Sequence, residues 1–223
     1  MPADMPDEIK LRQALVEASL ELVASGFNRG TSGNIGVRCG ARLLVTPSGV
    51  PARRLTPEGM VLVAPDGQVI GSGRPSSEWR FHRDILAARP DVHAVVHVHS
   101  PFATALACLG LEIPPFHYMI AMAGGSTIRC APYALFGTQE LSDHALAALR
   151  ERKACLLANH GMIAVGRDLE DAMAVCVEVE SLCEQYWRAR QLGEPRHLSD
   201  DEMRLVLDKF RTYGRQAPGQ DLS

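Results

Sequence analysis

Ala94-Val95-Val96-His97-Val98-His99, followed at once by Ser100-Pro101, is the stretch on which the reading of this chain turns. A short valine-rich run of this kind predicts a buried strand from about Val92 to His99. Side chains alternate between the faces of a strand, so His97 and His99 point the same way, about 7 Å apart along the backbone. Two imidazoles so placed can converge on one ion, and histidine is the commonest metal ligand. Ser100 reads as a helix N-cap and Pro101 as the first helical residue, opening a short helix from Pro101 to Gly110. Both histidines then sit at the mouth of a strand-to-helix turn, where α/β proteins bind ligands. The same pair would also suit hydrogen-bonded core residues, so the motif needs partners elsewhere. His93 shares the parity but lies on the order of 13 Å from His97 along a strand, outside such a site.

Upstream, Ile9, Leu11, Ala14, Leu15, Ala18 and Leu22 recur at helical spacing and predict a helix over residues 7–25, stopped by Gly26. A glycine-rich loop, Asn28-Arg29-Gly30-Thr31-Ser32-Gly33-Asn34, comes next. Short strands are expected at Ile35–Arg38, Arg42–Thr46, Val61–Ala64 and Gln68–Ile70, the last two joined by Pro65-Asp66-Gly67. Ser76 and Ser77 precede a helix from about Glu78 to Ala88, with Ser77 as cap and Glu78 as the acid favoured in a first turn. His82, four residues on, reads as a surface partner of Glu78.

Downstream, a helix over residues 138–150 is capped by Thr138. A strand Ala154–Ala158 leads into Asn159-His160-Gly161 and a strand Met162–Val165. An amphipathic helix from Leu169 to Leu192 stops at Gly193. Ser199-Asp200-Asp201-Glu202 fits a capping box for a last helix ending at Tyr213-Gly214, and residues 215–223 read as a flexible tail. Helices and strands mix without strict alternation, repeat or linker. The expectation is one α/β domain over residues 1–223, a mixed sheet covered by helices.

The bulk numbers agree. A chain of 223 residues, 46% hydrophobic, suffices for one large domain with a sizeable core. A formal net charge of −3 argues against nucleic acid or an anionic membrane surface as partner, so an anionic substrate needs a local site. No stretch approaches the ~20 apolar residues of a membrane span. The acidic N-terminus, Met-Pro-Ala-Asp-Met-Pro-Asp-Glu, has no apolar signal core. The six cysteines include no Cys-x-x-Cys pair. Cys176 and Cys183 share a helix face and read as core. These features suggest a cytoplasmic protein with reduced thiols.

A catalytic zinc site usually has three protein ligands and an open position. His160 is the third candidate, because it follows the apolar strand ending at Ala158. Gly161 beside it allows a sharp turn or a close approach. Glu78 has a second reading as a metal-linked carboxylate able to act as a base. Gly30-Thr31-Ser32-Gly33-Asn34, Thr46-Pro47-Ser48-Gly49 and Ser76-Ser77 are each ordinary turn sequences. Beside a histidine triad, three such hydroxylic segments point to a phosphate site.

Taken in order, these segments resemble one family: the loop 30–34, Thr46-Pro47-Ser48-Gly49, Ser76-Ser77-Glu78-Trp79-Arg80-Phe81-His82, His97-Val98-His99, His117-Tyr118-Met119-Ile120-Ala121, Ala131-Pro132-Tyr133-Ala134 with Phe136-Gly137, Asn159-His160-Gly161, and Lys209-Phe210-Arg211-Thr212-Tyr213-Gly214. The chain resembles the class II, zinc-dependent sugar-phosphate aldolases of the L-fuculose-1-phosphate aldolase group, in the aldolase/epimerase/adducin-head superfamily, over residues 10–214. The resemblance implies a central, largely antiparallel mixed sheet with helices on both faces. It implies Zn2+ held by His97, His99 and His160, with Glu78 as a resting ligand and the catalytic acid/base. Thr31, Asn34, Ser48, Gly49, Ser76 and Ser77 would surround the substrate phosphate. Tyr118 would reach in from a neighbouring subunit of a homotetramer whose active sites lie between subunits, and Tyr213 would help close the site.

The chemistry is consistent with that family. Cleaving a carbon–carbon bond beside a ketone generates an enediolate, which a zinc ion can stabilise as a Lewis acid. The alternative is a lysine Schiff base, but Lys10, Lys153 and Lys209 are the only lysines and none lies near the histidine motif. The products would be dihydroxyacetone phosphate and a short aldehyde such as L-lactaldehyde. Same-fold epimerases, dehydratases and decarboxylases acting on sugar phosphates are the rivals. The epimerase type carries Asp where this chain has Glu78. A non-catalytic scaffold would have lost the ligands that this chain retains.

Overall fold

Short valine- and leucine-rich segments pair into one eight-stranded sheet in the computed structural model, which describes residues 5–211. The strands are β1 (Asn34–Cys39), β2 (Arg42–Val45), β3 (Val61–Val63), β4 (Val69–Ile70), β5 (Ala94–Val98), β6 (Cys130–Ala131), β7 (Ala154–Leu157) and β8 (Gly161–Gly166). Their spatial order is β4-β3-β2-β1-β5-β8-β7-β6. Only the β6–β7 pair is parallel; the others are antiparallel. This is the mixed sheet expected from the sequence, largely antiparallel as the family resemblance implies.

The two-residue period of β5 sorts the core into two layers. Ala94, Val96 and Val98 face a cluster built with α1 (Met5–Ala24), α3 (Pro101–Ala107), α5 (Leu169–Leu192) and α6 (Asp200–Phe210), through Leu15, Leu106, Val179 and Met203 among others. Val95 faces the opposite cluster with Phe81 and Ile85 of α2 (Trp79–Ala88) and Leu141 and Ala145 of α4 (Gln139–Ala148). Each fully buried Leu, Ile or Val contributes about 1.5–3 kcal/mol, so two filled layers fix the sheet rigidly. His97, in step with Val95, therefore points into the α2 side.

Thr138 caps α4, its Oγ1 accepting from Leu141 N–H at 3.3 Å. Ser199 and Glu202 form the capping box of α6. Asp168 caps α5, accepting from Asp171 N–H at 2.7 Å. Two expected caps are corrected. Ser77 does not cap α2; Glu78 itself occupies the N-cap position and makes no capping hydrogen bond. Ser100 stands at the N-cap of α3, but its hydroxyl donates to Glu180 at 2.6 Å, and Glu180 accepts the N–H groups of Phe102 and Ala103. An acid from α5 thus supplies the cap that Ser100 was expected to give.

The short strand β6 and the 3-10 turns at Ala52–Arg54, Pro57–Gly59 and Tyr118–Ala123 have no counterpart in the sequence reading. The last helix ends at Phe210. Tyr213 and the tail 215–223 lie outside the described residues. Among the described residues, no helix is long and apolar enough to cross a membrane.

Candidate active site

β5 delivers His97, and His99 follows immediately beyond its last residue. His160 comes from the tight β7–β8 hairpin, in which Asn159 takes the left-handed conformation with φ 56°, a region asparagine tolerates better than most residues. Gly161 is needed for a different reason than turning. A Cβ there would lie 2.4 Å from the Val98 carbonyl oxygen and 3.0 Å from the His99 ring. Its absence lets β8 close onto the end of β5 and brings His160 to the other two imidazoles.

One nitrogen from each of His97, His99 and His160 falls within 4.8 Å of the others. The rings stand 4.8–4.9 Å apart by centroid, at 73–77° to one another. Nδ1–H of His97 donates to the Met162 carbonyl at 2.9 Å, which turns Nε2 toward the cluster, the arrangement typical of metal-ligating histidines. His97 Nε2 is 3.0 Å from His99 Nε2. The His99 backbone N–H donates to the side-chain oxygen of buried Asn28 at 3.2 Å.

Glu78 completes the cluster from the start of α2. It is only 6% exposed. Its Oε2 lies 3.3 Å from His97 Nε2 and its Oε1 3.2 Å from His160 Nε2. Oε1 nevertheless has no hydrogen-bond partner. A buried carboxylate oxygen this close to an imidazole nitrogen, with no hydrogen bond made, is an acceptor that a cation between them would satisfy. The donor set of three imidazoles and one carboxylate suits zinc, and this orphaned acceptor shows that the residues fit such an ion.

Burial would raise the Glu78 carboxyl, but His97, His160 and the Asn34 hydrogen bond outweigh it and hold it below the usual carboxylate range. Burial, reinforced by the His97 charge, pushes His99 and His160 each down to about 4. Burial also acts to lower His97, but the Glu78 carboxylate overcomes it and raises His97 above its ordinary value. A proton on His97 Nε2 therefore offsets the Glu78 charge when no cation does. At pH 6, below the ordinary histidine value of about 6.5, zinc should displace that proton while finding His99 and His160 already neutral. Calorimetric titration in two buffers of different ionisation enthalpy reads the released proton. Equal heats in both buffers would contradict this assignment.

His82 departs from expectation, and Asn34 makes a contact that the sequence does not show. Asn34, expected beside the phosphate, does line the cleft, and its buried side chain also donates from Nδ2 to Glu78 Oε2 at 2.9 Å. His82, expected on the surface beside Glu78, is instead fully buried, with Nε2 2.5 Å from Asn34 Oδ1. The face of α2 it shares with Glu78 is the one packed on the sheet. Burial, with the His97 charge, drives the His82 pKa down to about 3, so the ring is neutral.

Above the cluster opens a cleft of about 340 Å³, bounded by the three small-residue segments. Thr31, Asn34, Ser48, Gly49, Ser76 and Ser77 all line it, together with Glu78, His99 and His160. Short backbone pairings hold these segments together: Ser48 N–H to the Arg74 carbonyl and Ser76 N–H to the Thr46 carbonyl, both at 3.0 Å. Gly30, Gly33 and Gly49 have φ of 63–75°, which non-glycine residues rarely adopt. Tyr133 and Phe136, given no role from sequence, also line the cleft while largely exposed. Their signal was an aromatic pair within a Pro/Gly-bounded loop. Tyr118 does not line this cleft. It lies on the 3-10 turn Tyr118–Ala123, 51% exposed, stacked on His117 and 6.5 Å from Phe210 by ring centroid.

Residues 13–187 match the family profile described as Class II Aldolase and Adducin N-terminal domain. A 5-methylthioribulose-1-phosphate/5-deoxyribulose-1-phosphate aldolase of Rhodospirillum rubrum is 58% identical over 209 residues, 94% of this chain and 95% of the relative. An L-fuculose phosphate aldolase of Escherichia coli K12 is 46% identical over 206 residues, covering 92% and 96%. A solved structure of an L-fuculose 1-phosphate aldolase superposes with TM-score 0.87 at 38% identity, covering 91% of this chain and 96% of that one.

Proposed function

This chain belongs to the class II aldolase and adducin N-terminal domain family, and on that premise we propose that it cleaves a deoxy-ketose 1-phosphate into dihydroxyacetone phosphate and a small aldehyde. The observation that carries the reading is the juxtaposition of two sites in one cleft. A buried three-histidine, one-carboxylate cluster lies beside a wall of hydroxyl groups and glycine backbone. That pairing suits a short substrate with a phosphate at one end and a ketone a few atoms away.

The relatives' names narrow the substrate. The relative at 58% identity is named for 5-methylthioribulose and 5-deoxyribulose 1-phosphates, the one at 46% for L-fuculose phosphate. We place the five-carbon ketoses first, giving methylthioacetaldehyde or acetaldehyde, and L-fuculose 1-phosphate, giving L-lactaldehyde, second. These aldehydes differ by small groups worth about 1–3 kcal/mol each in an apolar pocket. Comparing kcat/KM for 5-deoxyribulose 1-phosphate and L-fuculose 1-phosphate tests the order. A preference for the six-carbon ketose would reverse it.

His97, His99 and His160, with Glu78 at rest, would hold Zn2+. When bound, the ion supplies Lewis-acid stabilisation of the charge that develops beside the ketone. Thr31, Ser48, Gly49, Ser76 and Ser77 take the phosphate through hydroxyl and backbone N–H groups, with Asn34 lining the same cleft. In the synthetic direction Glu78 removes a proton from the hydroxymethyl carbon of dihydroxyacetone phosphate. That carbon then bonds to the aldehyde carbon, and the aldehyde oxygen takes a proton from Tyr118 of the partner subunit. Cleavage runs the same steps backwards. The exposure of Tyr118, outside its own chain's cleft, supports a homotetramer with sites between subunits. Tyr213, outside the described residues, would help close the site in this reading. Cys155, Cys176 and Cys183 are buried thiols rather than disulfides, which supports placement in the reducing cytoplasm.

A further inference from the structure

His82 is a buried, chemically capable group for which this reaction has no step. We propose that it is a positioning residue, its Nε2–H holding the Asn34 carboxamide in the orientation that presents Nδ2–H to Glu78 Oε2. Glu78 Oε1 is then the carboxylate oxygen left for proton transfer. The proposal rests on the reading of Glu78 as the acid/base.

Hydrogen-bond direction carries the argument. Asn34 could in principle be turned either way. Reversed, its Oδ1 would face the Glu78 carboxylate oxygen at the 2.9 Å now spanned by the Nδ2 contact, two acceptors with no hydrogen between them. The carboxylate therefore selects Nδ2, and Oδ1 must face His82. A neutral imidazole 2.5 Å from that oxygen must carry its hydrogen on Nε2. Nδ1 is then a bare acceptor, which accounts for its being buried without a partner. The chain also makes room for this ring. A Cβ on Gly36 of β1 would lie 2.7 Å from His82 Nδ1, so the imidazole rests on a strand position that has no side chain. Without the His82 donor, Asn34 Oδ1 would be the buried acceptor left unpaired, and the amide would be free to turn away from Glu78.

A double-mutant cycle on the metal-loaded enzyme tests this, using His82→Leu, Asn34→Ala and the pair, with His82→Gln as the variant that restores a donor. His82→Leu should lower kcat by about 10–100-fold, the range for partners of groups at a metal site, with KM within about twofold of wild type. His82→Gln should recover most of the loss. In the Asn34→Ala background His82→Leu should cost nothing further, because it acts through Asn34. Without substrate, zinc loss to a competing chelator should speed up alike in His82→Leu and Asn34→Ala, and no more in the pair. Unchanged kcat in His82→Leu, additive losses in the pair, or no rescue by His82→Gln would each overturn the proposal. Should His82→Leu not fold, His82→Asn, whose donor falls short of Asn34, completes the same cycle. Glu78→Gln assayed alongside separates the two readings. If it stays active, the Glu78 role fails first. If it is inactive while His82→Leu is normal, only the positioning role fails.

Discussion

Glu78→Gln lowers kcat by about 10²–10⁴-fold, the usual worth of a positioned general acid/base, while the folded protein keeps most of its zinc. Gln preserves the length and shape of the side chain but replaces one carboxylate oxygen with an NH2 group, so the charge and the ability to exchange a proton are lost. The three imidazoles that converge beside it are untouched. Its amide can still meet Asn34, although the Asn34 Nδ2 donor now faces a neutral acceptor rather than a carboxylate. The proposed phosphate contacts are made by other residues, so KM changes little and the loss falls on turnover. Zinc per chain, a thermal melt and steady-state kinetics on one preparation check this. Near-normal kcat would remove Glu78 from the chemistry. Complete loss of zinc would make it chiefly a ligand.

His97→Leu abolishes zinc binding and activity together, and added zinc does not restore either. His97 is fully buried between the sheet and α2, its ring 5.5 Å from that of Phe81. Leucine fills similar space on an apolar face, so the sheet survives. The Met162 carbonyl loses its imidazole donor, at about 1–3 kcal/mol, which shows as a lowered melting temperature. The larger effect is on the ion. His99 and His160 remain, but the ligand fixed deepest in the fold is gone and Glu78 loses its closest cationic partner. Affinity should fall by more than the about 100-fold that marks the loss of an outer-shell partner. Stoichiometric zinc after dialysis of a folded His97→Leu protein would contradict the triad.

What the sequence made legible were local patterns. The valine run of β5, bounded by Ser100-Pro101, announced both a strand and two histidines on one face. The 24 residues of α5 carry enough periodicity to fix both ends at Leu169 and Leu192. His160 could be found because a strand end is where a third ligand must stand. What escaped was set by contacts distant in sequence. Asn34 reads as part of a phosphate loop, and nothing local shows that its amide also meets Glu78, 44 residues away. Glu180 caps α3 from 77–80 residues away, so Ser100 alone gave a misleading cap. For His82, spacing from Glu78 revealed a shared helix face but not which face was inside; α2 buries that face. β6 is two residues long, too short for any period to show.

The most direct test of the account is release of dihydroxyacetone phosphate from 5-deoxyribulose 1-phosphate, followed in a coupled assay with the protein as purified, after chelation, and after zinc is returned. The account predicts release that stops on chelation and returns with zinc. A folded, zinc-loaded protein that releases no dihydroxyacetone phosphate from either this ketose or L-fuculose 1-phosphate would contradict it and turn attention to epimerase, dehydratase or decarboxylase chemistry in the same cleft.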